Sequence, residues 1–110
     1  MNFNIEVKKL KETALCPRLS KAMELVGKRW TALIIYQLLE GPQRFNAIEA
    51  ALPISGRLLS ERLKELEKEG IVERKVYSEV PIRVEYHLTE KGLSLEKVVR
   101  EIEVWAKTWL

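Results

Sequence analysis

Residues 44–70 read RFNAIEAALPISGRLLSERLKELEKEG, and the spacing of the apolar side chains in this stretch decides the fold. Phe45, Ile48 and Leu52 recur at i, i+3 and i+7, which predicts a short helix between Arg44 and Leu52 that Pro53 ends. Only Pro53 and Ile54 separate it from Ser55, whose side-chain oxygen suits the N-cap of a second helix. In that helix, about 55–69, Leu59, Leu63 and Leu66 form an inward stripe and Gly70 is the natural stop.

Beyond Gly70 the period changes from helical to alternating. Ile71 to Tyr77 is β-branched and alternating, and Val84, Tyr86 and Leu88 alternate with Arg83, Glu85 and His87. Ser78 to Ile82, with Pro81, joins the two runs as a hairpin spanning about 71–88. Thr89 then caps a final helix, about 90–109, with Glu90 in its first turn where an acid suits the helix dipole. Leu95, Val98, Val99, Ile102, Trp105, Ala106 and Trp109 draw one apolar stripe along it. On the other side of the deciding stretch, Pro17 opens a helix in which Leu19, Ala22, Met23 and Val26 share a face up to about Gly27. Lys28 to Glu40 follows as a helix apolar on nearly all sides, hence central and largely buried, closed by Gly41 and Pro42. No repeat, low-complexity tract or linker interrupts this order, so residues 1–110 are expected to form a single domain.

Two helices joined by a very short turn and followed directly by a two-stranded hairpin have the order of a winged helix-turn-helix. The fold class expected is therefore α+β, mainly α, with a β-hairpin wing and dimerisation helices at both ends. With Leu59, Leu63 and Leu66 turned inward, the opposite face of the second helix presents Arg57, Ser60, Glu61, Lys64 and Lys68. The N-terminal residues of a helix in the major groove lie nearest the base edges, which favours Ser55, Gly56 and Arg57. Arg57 can fork onto guanine or clasp phosphate, while Ser60 and Lys64 add a hydrogen bond and a charge. Glu61 either reads a cytosine amino group or is held away by Arg57 or Lys64. Arg44 and Asn46 from the preceding helix, and Arg83 at the wing, complete the candidate DNA-binding set. For Arg83 the competing reading is a strand-edge ion pair with Glu85 or Glu73. For the helix face as a whole it is simply a solvated surface; the short turn and the adjoining hairpin favour DNA.

Charge alone does not single out nucleic acid. Nineteen Lys and Arg against sixteen Asp and Glu give a net +3, which permits an anionic partner without demanding one. The longest apolar runs fall far short of the roughly 20 residues of a membrane span, and Lys8, Lys9, Lys11 and Glu12 interrupt any signal-peptide core. The expected location is cytoplasmic. A lone cysteine, Cys16, agrees with a reducing compartment. His87 has no cysteine or acidic partner at metal-ligand spacing and is expected on the hairpin surface, so neither a metal nor another cofactor is expected. No phosphate-cradling loop, nucleophile elbow or zinc-protease helix occurs, which excludes the enzyme classes those motifs mark.

The ordered series resembles the HxlR family of winged helix-turn-helix regulators, which are MarR-like. The matching stretches are Cys16-Pro17, Trp30 with the apolar helix after it, Gly41-Pro42 with Arg44-Phe45-Asn46, and Ile54-Ser55 through Gly70-Ile71-Val72. Val80-Pro81-Ile82-Arg83-Val84-Glu85-Tyr86 with Leu88-Thr89 continues the series, so nearly everything from Cys16 to the middle of the last helix is covered. The family commonly shows Gly-Gly-Lys-Trp where Gly27-Lys28-Arg29-Trp30 stands, and a second proline at Ile82. The resemblance implies a dimer on a palindromic operator, repressing or activating nearby genes. It also implies that Cys16 senses reactive species, against the alternative of a buried, inert thiol.

Dimerisation has a separate argument. Trp105 and Trp109, with Val98 and Ile102, lie on the last helix where a small domain has little core left to cover them. A partner chain can cover them, with Val7, Leu10 and Ala14 joining the seam; the alternative is packing onto the first helices of the same chain. Two further functions stay open: a winged-helix protein-assembly module, and a regulator whose small aromatic effector lies against Trp30, Tyr36 or Trp105.

Overall fold

The structure, a computed structural model, describes residues 16–110. Six helices and one hairpin follow in the order α1 (Pro17–Val26), α2 (Thr31–Leu38), α3 (Phe45–Ala51), α4 (Gly56–Lys68), β1 (Val72–Tyr77), β2 (Arg83–Leu88), α5 (Glu90–Leu93) and α6 (Glu96–Trp109). The architecture is thus mainly helical with a two-stranded antiparallel wing. Ile34, Ile35 and Leu38 of α2, Ile48 of α3, and Leu59, Leu63 and Leu66 of α4 form the core, which Ile71 and Val72 continue into the wing. Helix α2 lies at the centre of this cluster and contacts α1, α3, β2 and α6.

Helix α4 is bounded by side-chain and backbone chemistry at both ends. The Ser55 Oγ accepts from the Leu58 amide at 3.1 Å, satisfying one of the orphan donors of the first turn. At the other end Gly70 has φ +73°, a conformation that a side chain disfavours. There the Ile71 amide bonds the Leu66 carbonyl at 2.9 Å and the Gly70 amide bonds Glu67 at 3.1 Å, a Schellman closure. The chain leaves this stop already aimed into β1. The wing pairs Val72 with Leu88 through to Tyr77 with Arg83.

Two elements differ from their sequence reading, and one tie between elements is new. The second helix starts at Thr31 instead of Lys28 and ends at Leu38, because Gly27 to Trp30 form a tight turn in which Trp30 takes φ +81°. It is also less enclosed than its composition suggests, with Leu33 exposed. The last helix is broken: the Thr89 Oγ1 caps the single turn α5 by accepting from Gly92 and donates to the Gly70 carbonyl, and the chain resets through Ser94 and Leu95 before α6. Gly92 is buried directly against the Ile71 carbonyl, so α5 is pinned to the root of the wing while α6 turns away to lie on α2. Finally, Gln43 forms a two-way backbone bridge with Tyr86 at 3.1 and 2.7 Å, tying the α2–α3 turn to β2.

The apolar stripes of the outer helices are largely uncovered. Helix α1 buries none of its residues, and Leu19 and Met23 stand exposed. On α6 only Val99 is buried, while Val98, Ile102, Trp105 and Trp109 all face solvent. Val7, Leu10 and Ala14 lie outside the described residues.

Candidate nucleic-acid interface

Burial of Leu59, Leu63 and Leu66 rotates the other side of α4 outward, and this rotation builds the site. Arg57 in the first turn has a side chain 91% exposed. Its guanidinium lies 3.7 Å from Glu61, a contact weak enough in water for a phosphate or guanine to displace. Glu61 is therefore held beside Arg57 in the free protein, one of the two arrangements its sequence position allowed. Lys64 is exposed one turn further on and Ser60 is half-buried between them. Although the Ser55 Oγ accepts from Leu58, its hydroxyl proton stays free to donate.

Gly56 begins α4 in contact with α3. A side chain there would meet the Glu49 Oε2 at 2.5 Å, the mobile end of a long side chain. The glycine thus reflects helix packing as much as approach to a ligand. Arg44 caps α3 through its carbonyl, which accepts from Ala47 and Ile48, and leaves its side chain exposed beside Asn46. Arg44 and Asn46 lie at the start of α3 and Ser55, Gly56 and Arg57 at the start of α4, the two ends of the helix-turn-helix that carry the candidate contacts.

Arg62 turns out to be structural. It donates to the Arg29 carbonyl at 3.0 Å and to Glu65 at 3.3 Å, and Lys28 pairs with Glu65 at 3.2 Å. These contacts fix the turn before α2 against the back of α4, so the pose of the groove-facing side is set from behind.

The wing departs most from expectation. Arg83 donates to Glu79 at 3.0 and 3.2 Å and to Glu85 at 2.8 Å, with its guanidinium 4.0 Å from the Tyr77 ring centre. The Glu79 hydrogen bond is the chief reason its pKa lies above the ordinary arginine value. A phosphate contact from Arg83 therefore requires breaking the pair with Glu85, one of the two alternatives its sequence position offered, and also the pair with Glu79, which that reading did not name; Glu73 takes no part. His87 is half-buried under the wing, 3.4 Å from both the Tyr77 hydroxyl and Glu85. Among the described residues no group of three or more His, Cys, Asp or Glu side chains is placed to hold a metal ion. The exposed cations of the wing are Arg74 and Lys75 on β1, which sequence reasoning passed over because alternation alone does not tell which strand of a hairpin faces outward.

Trp30 packs on the core with Arg29 5.0 Å from its ring, and the Tyr36 hydroxyl donates to Glu103 of α6. That hydrogen bond, followed by the Glu103 charge, raises the Tyr36 pKa. A shallow cleft is lined by Arg18, Lys21, Lys28, Lys68 and Lys91 with Glu24, Glu65 and Glu69. Cys16 is exposed at the N-cap of α1.

A helix-turn-helix core, a second helix with an open polar face and an adjoining antiparallel hairpin together define a winged helix-turn-helix regulator. The chain belongs to the HxlR-like helix-turn-helix family, whose profile matches residues 25–110, a family of transcriptional regulators akin to the MarR type. It is 55% identical over 102 residues to the HTH-type transcriptional regulator YvaP of Bacillus subtilis, covering 92% of this chain and 94% of YvaP. It is 50% identical over 93 residues to the HTH-type transcriptional regulator YodB of the same organism, covering 84% and 83% of the two chains. The reduced form of YodB superposes with a TM-score of 0.78 over 86% of this chain and 94% of that one, and YodB has also been solved diamide-treated and quinone-bound. A MarR-family regulator from Porphyromonas gingivalis gives a TM-score of 0.81 at 36% identity, covering 88% and 95%.

Proposed function

We propose that this chain is a cytoplasmic, homodimeric, sequence-specific DNA-binding regulator that reads a pseudo-palindromic operator through α4, as a repressor or an activator. The observation that carries the reading is the open N-terminal turn of α4, where Ser55 and Arg57 stand exposed on either side of Gly56 while Leu59, Leu63 and Leu66 anchor the helix. Ser60 and Lys64 extend that face, and Arg44 and Asn46 flank it. The dimer seam is formed by Val98, Ile102, Trp105 and Trp109 of α6, whose exposure leaves them in want of a partner. A twofold dimer sets two copies of α4 about one DNA turn apart, roughly 34 Å. The groove contacts need no cofactor, and this function is that of a regulator, not an enzyme.

Its signal acts through Cys16. The thiol is exposed at the N-cap of α1, open to an electrophile or oxidant from solvent. Support comes from YodB, which has been solved in a quinone-bound form. Addition to a quinone forms a carbon–sulfur bond, and the ring takes up the electron pair and a proton to become a hydroquinone thioether. Cys16 is the one cysteine of the chain, so a disulfide instead requires a second copy or a small thiol, with two electrons passing to the oxidant. A small-molecule effector other than such an electrophile is not part of this proposal.

Binding of the purified protein to DNA upstream of its own gene, followed by fluorescence anisotropy over a salt series, tests the reading. Tight, steeply salt-dependent binding with poor competition from unrelated duplex is expected; equal affinity for any duplex refutes it. Arg57→Ala should damage operator binding selectively, whereas Arg44→Ala should weaken all duplexes alike. Benzoquinone should release wild-type protein and leave Cys16→Ser bound; release of both removes Cys16 as the sensor.

A further inference from the structure

The end of the wing combines two features that the recognition helix does not explain. Val80 is fully exposed, Ile82 is 70% exposed and Pro81 between them is exposed, which makes the tip an apolar point. Directly beneath it, Glu79, Arg83, Glu85 and the Tyr77 ring form a closed cluster that consumes the one cation near the tip. Over residues 72–88 three bases face three acids, so the hairpin carries no net charge to draw it onto phosphate. Its free cations, Arg74 and Lys75, sit on β1, and the six-residue strands carry the tip about 20 Å from the wing's root.

We propose that the wing tip is an apolar minor-groove wedge in which Val80 and Ile82 make the contact, and that Arg83 is a positioning residue that does not touch DNA. The proposal rests on the DNA-binding reading above and names what the wing contributes to it. With α4 in the major groove, the wing beside it meets the neighbouring minor groove, a slot about 6 Å wide with sugar walls. Branched aliphatic side chains fit such a slot, and inserted at a base step they favour sequences that kink easily. Arg74 and Lys75 then flank the phosphate ridge. Arg83 serves the tip by stiffening its base and by offsetting half of the charge of Glu79 and Glu85, whose carboxylates would otherwise repel the duplex more strongly. The wing thereby reads DNA deformability, while α4 reads base edges.

The test uses full-length protein and an operator that it has itself selected from random duplex DNA. Val80→Ser/Ile82→Ser should weaken operator binding about tenfold with an unchanged salt slope, because apolar burial, not counterion release, is lost. It should also flatten the preference for TA or CA steps where the wing lies. Arg83→Gln should weaken binding, and Glu79→Gln/Arg83→Gln/Glu85→Gln should restore it, which a direct Arg83–phosphate contact forbids. Thermal midpoints matching wild type establish that the exposed tip is not needed for folding. Unchanged affinity of the tip variant, failure of the triple variant to recover, or a shift of the tip variant's oligomeric state in the absence of DNA each overturns the wedge. If the wild-type protein selects no operator, the DNA-binding reading itself falls; selection of an operator with no effect at the tip defeats the wedge alone.

Discussion

Trp105→Ala should dissociate the proposed dimer while leaving the monomer folded. Trp105 is 56% exposed in the single chain, which for a side chain of about 250 Å² leaves roughly 140 Å² open to solvent. Covered completely by a partner, that area is worth about 3.5 kcal/mol per protomer at about 25 cal/mol per Å², and twofold symmetry counts it twice. Interfaces rarely recover the full area term, because ordering the side chains and imperfect coverage oppose it. Taking about half leaves roughly 3 kcal/mol per dimer, which raises the dimer dissociation constant more than a hundredfold. Sedimentation equilibrium across a concentration series reads that change directly. Operator affinity should fall with it, since one half-site then binds alone, whereas the thermal midpoint of the monomer should move little because Trp105 lies outside the buried core. A wild-type protein that sediments as a monomer at micromolar concentration, or a variant whose dissociation constant is unchanged, refutes the seam on α6.

Tyr36→Phe should change the alkaline limb of stability. The Glu103 hydrogen bond raises the Tyr36 pKa above 10.0, so the folded state favours the neutral phenol. Stability from this group is complete below about pH 10 and is lost as pH rises through the folded-state value; urea midpoints taken between pH 8 and 11.5 should decline less in the variant, and an identical decline excludes the link. Gly92→Ala should lower stability by about 2–3 kcal/mol, because the added methyl meets the Ile71 carbonyl, a backbone atom that cannot swing aside. A thermal midpoint within 2 °C of wild type, where a shift of roughly 10 °C is anticipated, contradicts that packing.

The parts of the fold legible in the sequence are those governed by short-range chemistry. Ser55 and Gly70 bracket α4 because a hydroxyl cap and a left-handed stop act within one turn, and the spacing of Leu59, Leu63 and Leu66 fixes which face turns inward. What stayed hidden depends on distant neighbours. Trp30 adopts a left-handed conformation that its residue type disfavours, held by the packing of its ring on the core, and nothing in Gly27-Lys28-Arg29-Trp30 announces it. The break at Ser94 follows from Gly92 meeting a carbonyl some twenty residues earlier. For the candidate site, exposure of Arg57, Lys64, Arg44 and Asn46 follows from helical periodicity, whereas the capture of Arg83 between Glu79 and Glu85 depends on how the hairpin closes. Alternation permitted that ion pair without choosing it over a phosphate contact.

The charge pattern explains why a dimer matters for the proposed function. Residues 55–88, which hold α4 and the wing, carry seven bases and seven acids, so a single copy has little long-range attraction to DNA and weak non-specific binding. Useful affinity then has to come from two half-sites engaged together, where the second contact is intramolecular and profits from a high effective concentration. Such a binder is sensitive to the spacing of its two recognition helices, because a seam that shifts by a few ångströms keeps both contacts intact singly and loses them jointly. In the proposed dimer that spacing is set by α6 against α2, through Val99 and the Tyr36–Glu103 hydrogen bond, and by the exposed stripe of α1 that carries Leu19 and Met23. Cys16 is the cap residue of that same helix. In the proposed mechanism a bulky adduct on its sulfur would need no path through the core to alter DNA binding: it would act at the end of an element whose uncovered face is available to the proposed seam, and a small change of angle there would be multiplied by the distance to α4.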